Sequence, residues 1–459
     1  MQHGERRSLA ATIVLAAGLV GMVLPAQGQP IPLPVLPKYQ QEVTAALTRA
    51  YNASGQMLFR QMAGASGNLV FSPYSIGTAM AMVLAGARGD TEREMASVLQ
   101  HSLPRDEINN ANAAASAVLN GYNRSHVPPT CAVGLRLQGE RCEGSPNADR
   151  NCPFPARVVG ETCVAEPRFP PSARLLTANA LMLASAGVAR EYEALLKDRY
   201  AAEVFRGASL DTVNGWVKQR TEGKIERILE KMSHLVLISA VYFKSRWALV
   251  FDKTHTRPEF FNLSRTRQEL VPTMLQRANH VVVAREGYRA IRLPYAVRQL
   301  GMVIALPNEV DGLDAVAKRL DAAELAGLLT GLRDAPSRPV VLTLPRFRTE
   351  SSANLKDLFQ AAGMRLPFDA RRADFSGLTG APPSAAPTAI DQIVHRAVIE
   401  VAEESTEAAA ATAVGVMVTS MPGRPVEPMQ FRVDRPFLYY IVDNTTGAVL
   451  FQGRVVDPR

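Results

Sequence analysis

No enzyme constellation runs through this chain. It has no HExxH, no G-x-S-x-G, no S-x-x-K, no Walker loop and no G-x-G-x-x-G, the patterns that set ligands, nucleophiles or phosphate cradles at working spacing. Cysteine is scarce: there are four, all between positions 131 and 163, and none stands in a Cys-x-x-Cys pair. That excludes zinc-ribbon and thioredoxin readings, and no other cluster has metal-ligand spacing, so neither a metal nor a cofactor is expected. A Lys/Arg block is missing as well. The net charge of +8 is spread over scattered arginines, so a nucleic-acid partner is not expected. Beyond the N-terminal segment no apolar run approaches a membrane span.

What is present begins with MQHGERRSLAATIVLAAGLVGMVLPAQGQP. Arg6 and Arg7 precede an apolar run over residues 9–24, and small residues follow at Ala26 and Gly28. This pattern predicts a signal peptide over 1–28 and an exported protein, secreted or periplasmic. QPIPLPVLPKY then predicts an extended tether over 29–42. An exported compartment permits disulfides. CAVGLRLQGERC and CPFPARVVGETC share Cys-x10-Cys spacing, with Arg136/Arg157, Gly139/Gly160 and Glu140/Glu161 at matched positions. Four cysteines allow three connectivities. The repeat favours two tandem hairpins, each turning near its Gly-Glu pair, stapled Cys131–Cys142 and Cys152–Cys163 inside an insertion over 121–172.

Either side of this insertion the sequence is globular, one domain over 43–459. NLVFSPYSIGTAMAMVLAGA reads as a short buried strand, a turn at Ser72-Pro73 and an apolar helix stopping at Gly86. Thr91-Glu92-Arg93-Glu94 predicts a capping box. EYEALLKDRYAAEVF and SSANLKDLFQAAG read as helices. LLTANALML, LVLISAVYF, QLGMVIALP, RPVVLTLPRF and VHRAVIEVAEE read as strands, and PFLYYIVDNTTGAVLFQGRVV as a hairpin turning at residues 443–447. Helices dominate early and strands late, which makes the class α+β. His395 with Ser72 or Ser75 is the one conceivable nucleophile pair. Its strand pattern and apolar neighbours favour a buried histidine satisfied by hydroxyls.

EESTEAAAATAVGVMVTS, residues 403–420, has an ambiguous pattern. Taken in twos, Thr406, Ala408, Ala410, Thr412, Val414, Val416 and Val418 form one small or β-branched set, while the other set carries the charge of Glu407. That is a strand's period, yet Pro422, Pro425 and Pro428 follow and resist sheet pairing. An Ala-rich linker or frayed helix fits the pattern equally well.

The chain resembles the serpin family over most of residues 43–459, insertion excepted. The resemblance lies in NLVFSPYSIGTAMAMVLAGARGDTEREMASVL, LVLISAVYFKSRW, LPRF, ADFSGLTG, IVHRAVIEV, EESTEAAAAT and the terminal hairpin, in that order. It implies three β-sheets with about nine helices and an exposed reactive-centre loop, here 403–430, and an exported, prokaryotic-type inhibitory member. In such a protein a serine protease cleaves the loop. The loop then inserts into the main sheet and carries the covalently bound acyl-enzyme with it before hydrolysis finishes. The residues at the hinge positions are Glu403, Glu404, Ser405, Thr406, Glu407, Ala408, Ala409, Ala410, Ala411 and Thr412, and the scissile bond falls at Thr419–Ser420. Val418 and Thr419 imply an elastase-like or subtilisin-like target with a shallow apolar pocket. Ser72, Ser75, Ser239 and His395 match a polar cluster beneath the main sheet. Arg346 and Glu403 match an ion pair at its top, with Trp247 beside it. Two positions depart from the family: Ser239 stands where Asn is usual, which implies a less firmly held His395, and Ser405 replaces a hinge glycine, which implies slower insertion. The alternative within the family is a non-inhibitory binder or carrier. A weak contact with polyanions or surfaces through the insertion completes the expected partners.

Overall fold

In the computed structural model the described residues are 36–62, 66–123, 131, 134–138, 141–147, 151–153, 156–165, 173–184, 187–403 and 427–459. The signal peptide 1–28, most of the tether, Glu404 to Thr412 and the Thr419–Ser420 bond lie outside them. The first helix, Lys38–Met62, starts directly after Pro37. Chain read as tether from residue 38 onward is therefore helix, because the last proline that opposes helix falls at 37.

The helix Pro73–Gly86 is apolar all round and buried at every position, as a helix at the centre of a domain must be. Ser72 caps it, accepting from Ser75 N–H at 3.0 Å, with proline at the first helical position. Gly77 lets this helix meet Lys38–Met62, since a Cβ there would lie 2.3 Å from the Tyr51 ring.

Five strands form the main sheet, in the order Phe347–Asn354, Gln392–Val401, Leu235–Ser245, Ala173–Leu183, Glu203–Arg206. Gln392–Val401 and Leu235–Ser245 run parallel, with His395 opposite Ser239. Each is antiparallel to its outer neighbour, and Asn179 stands opposite Ser239. Leu235–Ser245 is buried along nearly its whole length, which accounts for its unbroken apolar sequence. Leu237, Val241 and Phe243 face the main core. Val236, Ile238 and Ala240 face a second core beneath the helix Leu210–Arg220.

A nine-stranded array holds most of the remaining strands. Its long strand Gln268–Arg285 pairs first with Arg257–Asn262, then with Ser337–Pro345, then with Tyr288–Pro294. That one strand joins two sheets, which with the main sheet make three. Ten α-helices and two short 3₁₀ turns complete the described part.

The insertion adds a four-stranded sheet of its own, ordered Arg136–Gln138, Arg141–Gly144, Thr162–Ala165, Arg157–Val159. Both disulfides join the expected partners, Cys131–Cys142 and Cys152–Cys163. The two hairpins pair through their second strands, and Gly160 turns one of them at φ 65°. The other turn, at Gly139-Glu140, lies outside the described residues. The body holds the insertion by a neck. Ala173 N–H donates to Tyr122 O at 3.2 Å. Asn123 bonds Leu175 twice, accepting from its N–H at 2.6 Å and donating to its carbonyl at 2.8 Å. Tyr122 and Asn123 thus belong to the body, and the insertion starts after them.

Three local expectations are corrected. The capping box does not form: Thr91 accepts from Asp374 N–H and Glu94 accepts from Leu366 N–H, so tertiary donors take both groups. The helix through EYEALLKDRY stops at Tyr200, where Ala201 turns at φ 49°, and Glu203–Arg206 is a strand. Ser351 and Ser352 belong to the strand Phe347–Asn354, and the helix begins only at Lys356.

Candidate functional site

The structure brings Ser72, Ser75, Ser239 and His395 together beneath the boundary between the two parallel strands. Ser72 N–H donates to His395 Nε2 at 3.1 Å. A backbone N–H can only donate, so Nε2 carries no proton and Nδ1 does. Nδ1–H faces Ser239 Oγ at 3.1 Å, Ser239 meets Ser75 Oγ at 2.8 Å, and Ser75 donates to Asn179 Oδ1 at 3.1 Å. The protons therefore run one way, from Ser72 through His395, Ser239 and Ser75 to Asn179. Asn179 was missed by the sequence reading. Its signal was an amide in the middle of the apolar run LLTANALML, a poor place for Asn in a strand. It supplies, from the next strand across, the amide on which the cluster ends.

His395 is buried. Burial pushes its pKa down to about 3, because the protonated ring would lose its hydration and point a second N–H at the Ser72 amide. His101 and His280 are likewise pushed down, to about 4, by burial. A base held below its unfolded value stabilises the fold only while it is neutral in both states. Stability is therefore complete above pH 6.5 and falls as pH drops, by up to about 1.4 kcal/mol per pH unit for each such ring. Glu403, held low as described below, loses its contribution in the same direction at lower pH. Denaturant melts at pH 7.5, 6.5 and 5.5 are expected to show stability falling before carboxylates titrate, with a shallower fall in His395→Gln. A flat profile down to pH 5.5 would remove the buried neutral histidines from this account.

A second cluster clamps the end of Gln392–Val401. Trp247 Nε1–H donates to Ala402 O at 2.9 Å, and Phe251 N–H donates to Glu403 O at 3.2 Å. Trp247 is itself fixed by stacking on Tyr295, ring centres 4.6 Å apart. The Glu403 side chain is only 2% exposed. It accepts from Arg346 Nε–H at 2.8 Å and from the Thr256 hydroxyl. Burial alone would raise its pKa, but the hydrogen bonds from Arg346 and Thr256 and the Arg346 charge hold it below the usual carboxylate range. Arg346, Glu403 and Trp247 thus meet as expected, while Thr256, Phe251 and Tyr295 carried no signal in the sequence.

On the outer face of the main sheet Arg396 donates to Glu350 Oε1 at 3.0 Å and also reaches Arg227 O. The segment carrying Arg227 is fixed to the helix Leu210–Arg220 by Asn214, which accepts from Ile228 N–H at 2.8 Å and Leu229 N–H at 3.0 Å. The boundary between the parallel strands is therefore crossed by Ser239–His395 beneath and by Arg396–Arg227 above. Neighbouring strands lie about 4.8 Å apart. A further strand between them would double that distance and break both bonds.

A family model described as Serpin (serine protease inhibitor) matches residues 49–141 and 162–458. Its break falls inside the disulfide-stapled insertion. The chain is 31% identical over 408 residues to the leukocyte elastase inhibitor of Homo sapiens, covering 86% of this chain and 94% of that protein. It is 31% identical over 410 residues to a serine protease inhibitor of Cyanea capillata, covering 86% of this chain and 93% of that one. Among solved structures, the thermophilic serpin Tengpin in its native state has a similar fold, with a TM-score of 0.68 at 22% identity over 94% of this chain and 97% of that one.

Proposed function

Since the chain belongs to the serpin family, whose members are typically protease inhibitors and not enzymes, we propose that it is an exported inhibitor that traps a serine protease by inserting its own cleaved loop. The protease serine attacks the Thr419 carbonyl, the Ser420 amine leaves, and Thr419 stays esterified to the protease. The freed hinge then enters between Leu235–Ser245 and Gln392–Val401 and draws the ester-bound protease along.

The observation that carries this reading is the direction of the two strands. They run parallel, and Gln392–Val401 leads at its far end into Glu403. A chain that turns back after Glu403 runs antiparallel to both. Insertion replaces one parallel pairing with two antiparallel ones, the more stable kind per residue. Thr406 and the alanines Ala408, Ala409, Ala410 and Ala411 are small enough to enter without a void or a clash. The N-terminal pattern of residues 1–28 supports export. Val418 and Thr419 support an elastase-like or subtilisin-like target.

The test is a panel of serine proteases incubated with the chain and resolved on denaturing gels. An elastase-like or subtilisin-like protease is expected to give an SDS-stable complex and release a C-terminal peptide beginning at Ser420. A peptide beginning at Pro425, after Arg424, would refute the specificity. Cleavage by every protease without any complex would favour the non-inhibitory alternative, for which Ser405 in place of glycine is the one supporting feature.

A further inference from the structure

The hairpin 257–272 presents an apolar face to solvent. Phe260 and Leu270 are 60% and 57% exposed, and they are direct cross-strand partners. Pro258 and Pro272, also exposed, are the next outward-facing pair in the same register. The inward residues Phe261 and Val271 are buried, so the hairpin already has its packed side. Scattered exposed apolar residues need no explanation, but adjoining ones rimmed by polar groups mark a docking surface. The polar border on that face is the next outward pair, Gln268 donating to Asn262 Oδ1 at 2.7 Å.

The place of this face says what covers it. At one end Thr256 donates to Glu403 and Arg346 N–H donates to Pro272 O at 2.9 Å, where the chain enters the reactive loop. At the other end Asn262 N–H and Nδ2–H both donate to Asp434 O, at 2.8 and 2.9 Å, just after the strand Met429–Arg432 by which the chain leaves that loop. The apolar face lies between the two anchors of the loop. Strand pairing is not what this edge offers: Pro258 has no N–H, and the Asn262 N–H is already engaged.

We propose that this face is a second docking surface for the serine protease attacking the loop, gripping an apolar patch on the protease outside its substrate cleft. The inference rests on the loop being protease bait, as argued above. It acts on encounter, before cleavage, and so sets how fast the chain is consumed and not how the acyl-enzyme later partitions.

The experiment measures the second-order rate at which a loop-attacking protease consumes the native chain, counting trapped and cleaved products together. Phe260→Ser/Leu270→Ser is expected to lower that rate about tenfold, the loss that removing a buried interface anchor typically gives. The ratio of trapped to cleaved product is expected to stay unchanged. Phe260→Tyr should keep the rate, and so should Val158→Ser/Val159→Ser, which removes exposed valines from the insertion. Both serines replace exposed side chains; if the double variant melts early, Leu270→Thr alone serves, with a smaller fall expected. An unchanged rate overturns the proposal. So does self-association of the native chain that the double variant abolishes, which assigns the face to a second copy. Cleavage without trapping refutes inhibition and leaves the rate comparison decisive. A native chain that no protease in the panel consumes overturns both.

Discussion

Thr406→Arg is expected to convert the chain from an inhibitor into a substrate: the protease still cleaves the loop, but the SDS-stable complex disappears. The reason lies in the two strands between which the hinge must enter. Leu235–Ser245 faces the main core with one set of residues and the core beneath Leu210–Arg220 with the other, and Gln392–Val401 is buried at seven of its ten positions. A strand placed between them has little water on either face. Burying an unpaired guanidinium there costs at least about 4 kcal/mol. As a barrier, that slows insertion about a thousandfold, while hydrolysis of the acyl-enzyme proceeds at its ordinary rate. Thr406→Ser, of similar size and polarity, should keep the complex. The measurement is the stoichiometry of inhibition and the gel. A one-to-one stable complex with Arg at 406 would show that the hinge does not insert.

Cleavage of the loop in the otherwise unmodified chain is expected to raise its melting temperature by on the order of 20 °C. An inserted strand makes hydrogen-bond ladders on both sides, each bond worth about 1 kcal/mol net. It also exchanges a parallel pairing for two antiparallel ones. The bonds that cross the boundary in the native sheet, Ser239–His395 and Arg396–Arg227, are lost in the exchange, and they are fewer than those gained. Scanning calorimetry before and after limited proteolysis reads the difference directly. An unchanged melting temperature would leave no driving force for the trap and would favour the carrier reading.

Much of the fold was legible because strands such as Leu235–Ser245, Leu300–Pro307 and Phe437–Asp443 are buried on both faces and so read as unbroken apolar runs. The helix Pro73–Gly86 was legible for the same reason, with the Ser72-Pro73 pair marking its start. The disulfide pairing was legible from the internal repeat. What failed were local signals with distant competitors. Thr91 and Glu94 have the spacing of a capping box, but Asp374 and Leu366, remote in sequence, supply the donors they accept. AAEVF continues a helical pattern, yet its pairing with Ala180–Leu183 outweighs that propensity. Helices Leu313–Arg319 and Ala322–Asp334 were not read at all. In the site, His395 and the serines were legible through resemblance, Asn179 left only the trace of an amide in an apolar run, and Thr256 and Arg396 became visible only as partners. A hydrogen bond joins residues by space, and the spacing of residues in sequence does not record it.

The neck of the insertion has a consequence for how the chain tolerates change. Tyr122 and Asn123 are bonded to Ala173 and Leu175, so the body closes its own circuit before the insertion begins. The entropy of closing an intervening loop grows only slowly with its length, and two disulfides and a small buried cluster around Cys142 and Cys163 hold the insertion internally. To the rest of the fold the segment is a pendant, able to lengthen, shorten or change its surface while the main sheet keeps its register.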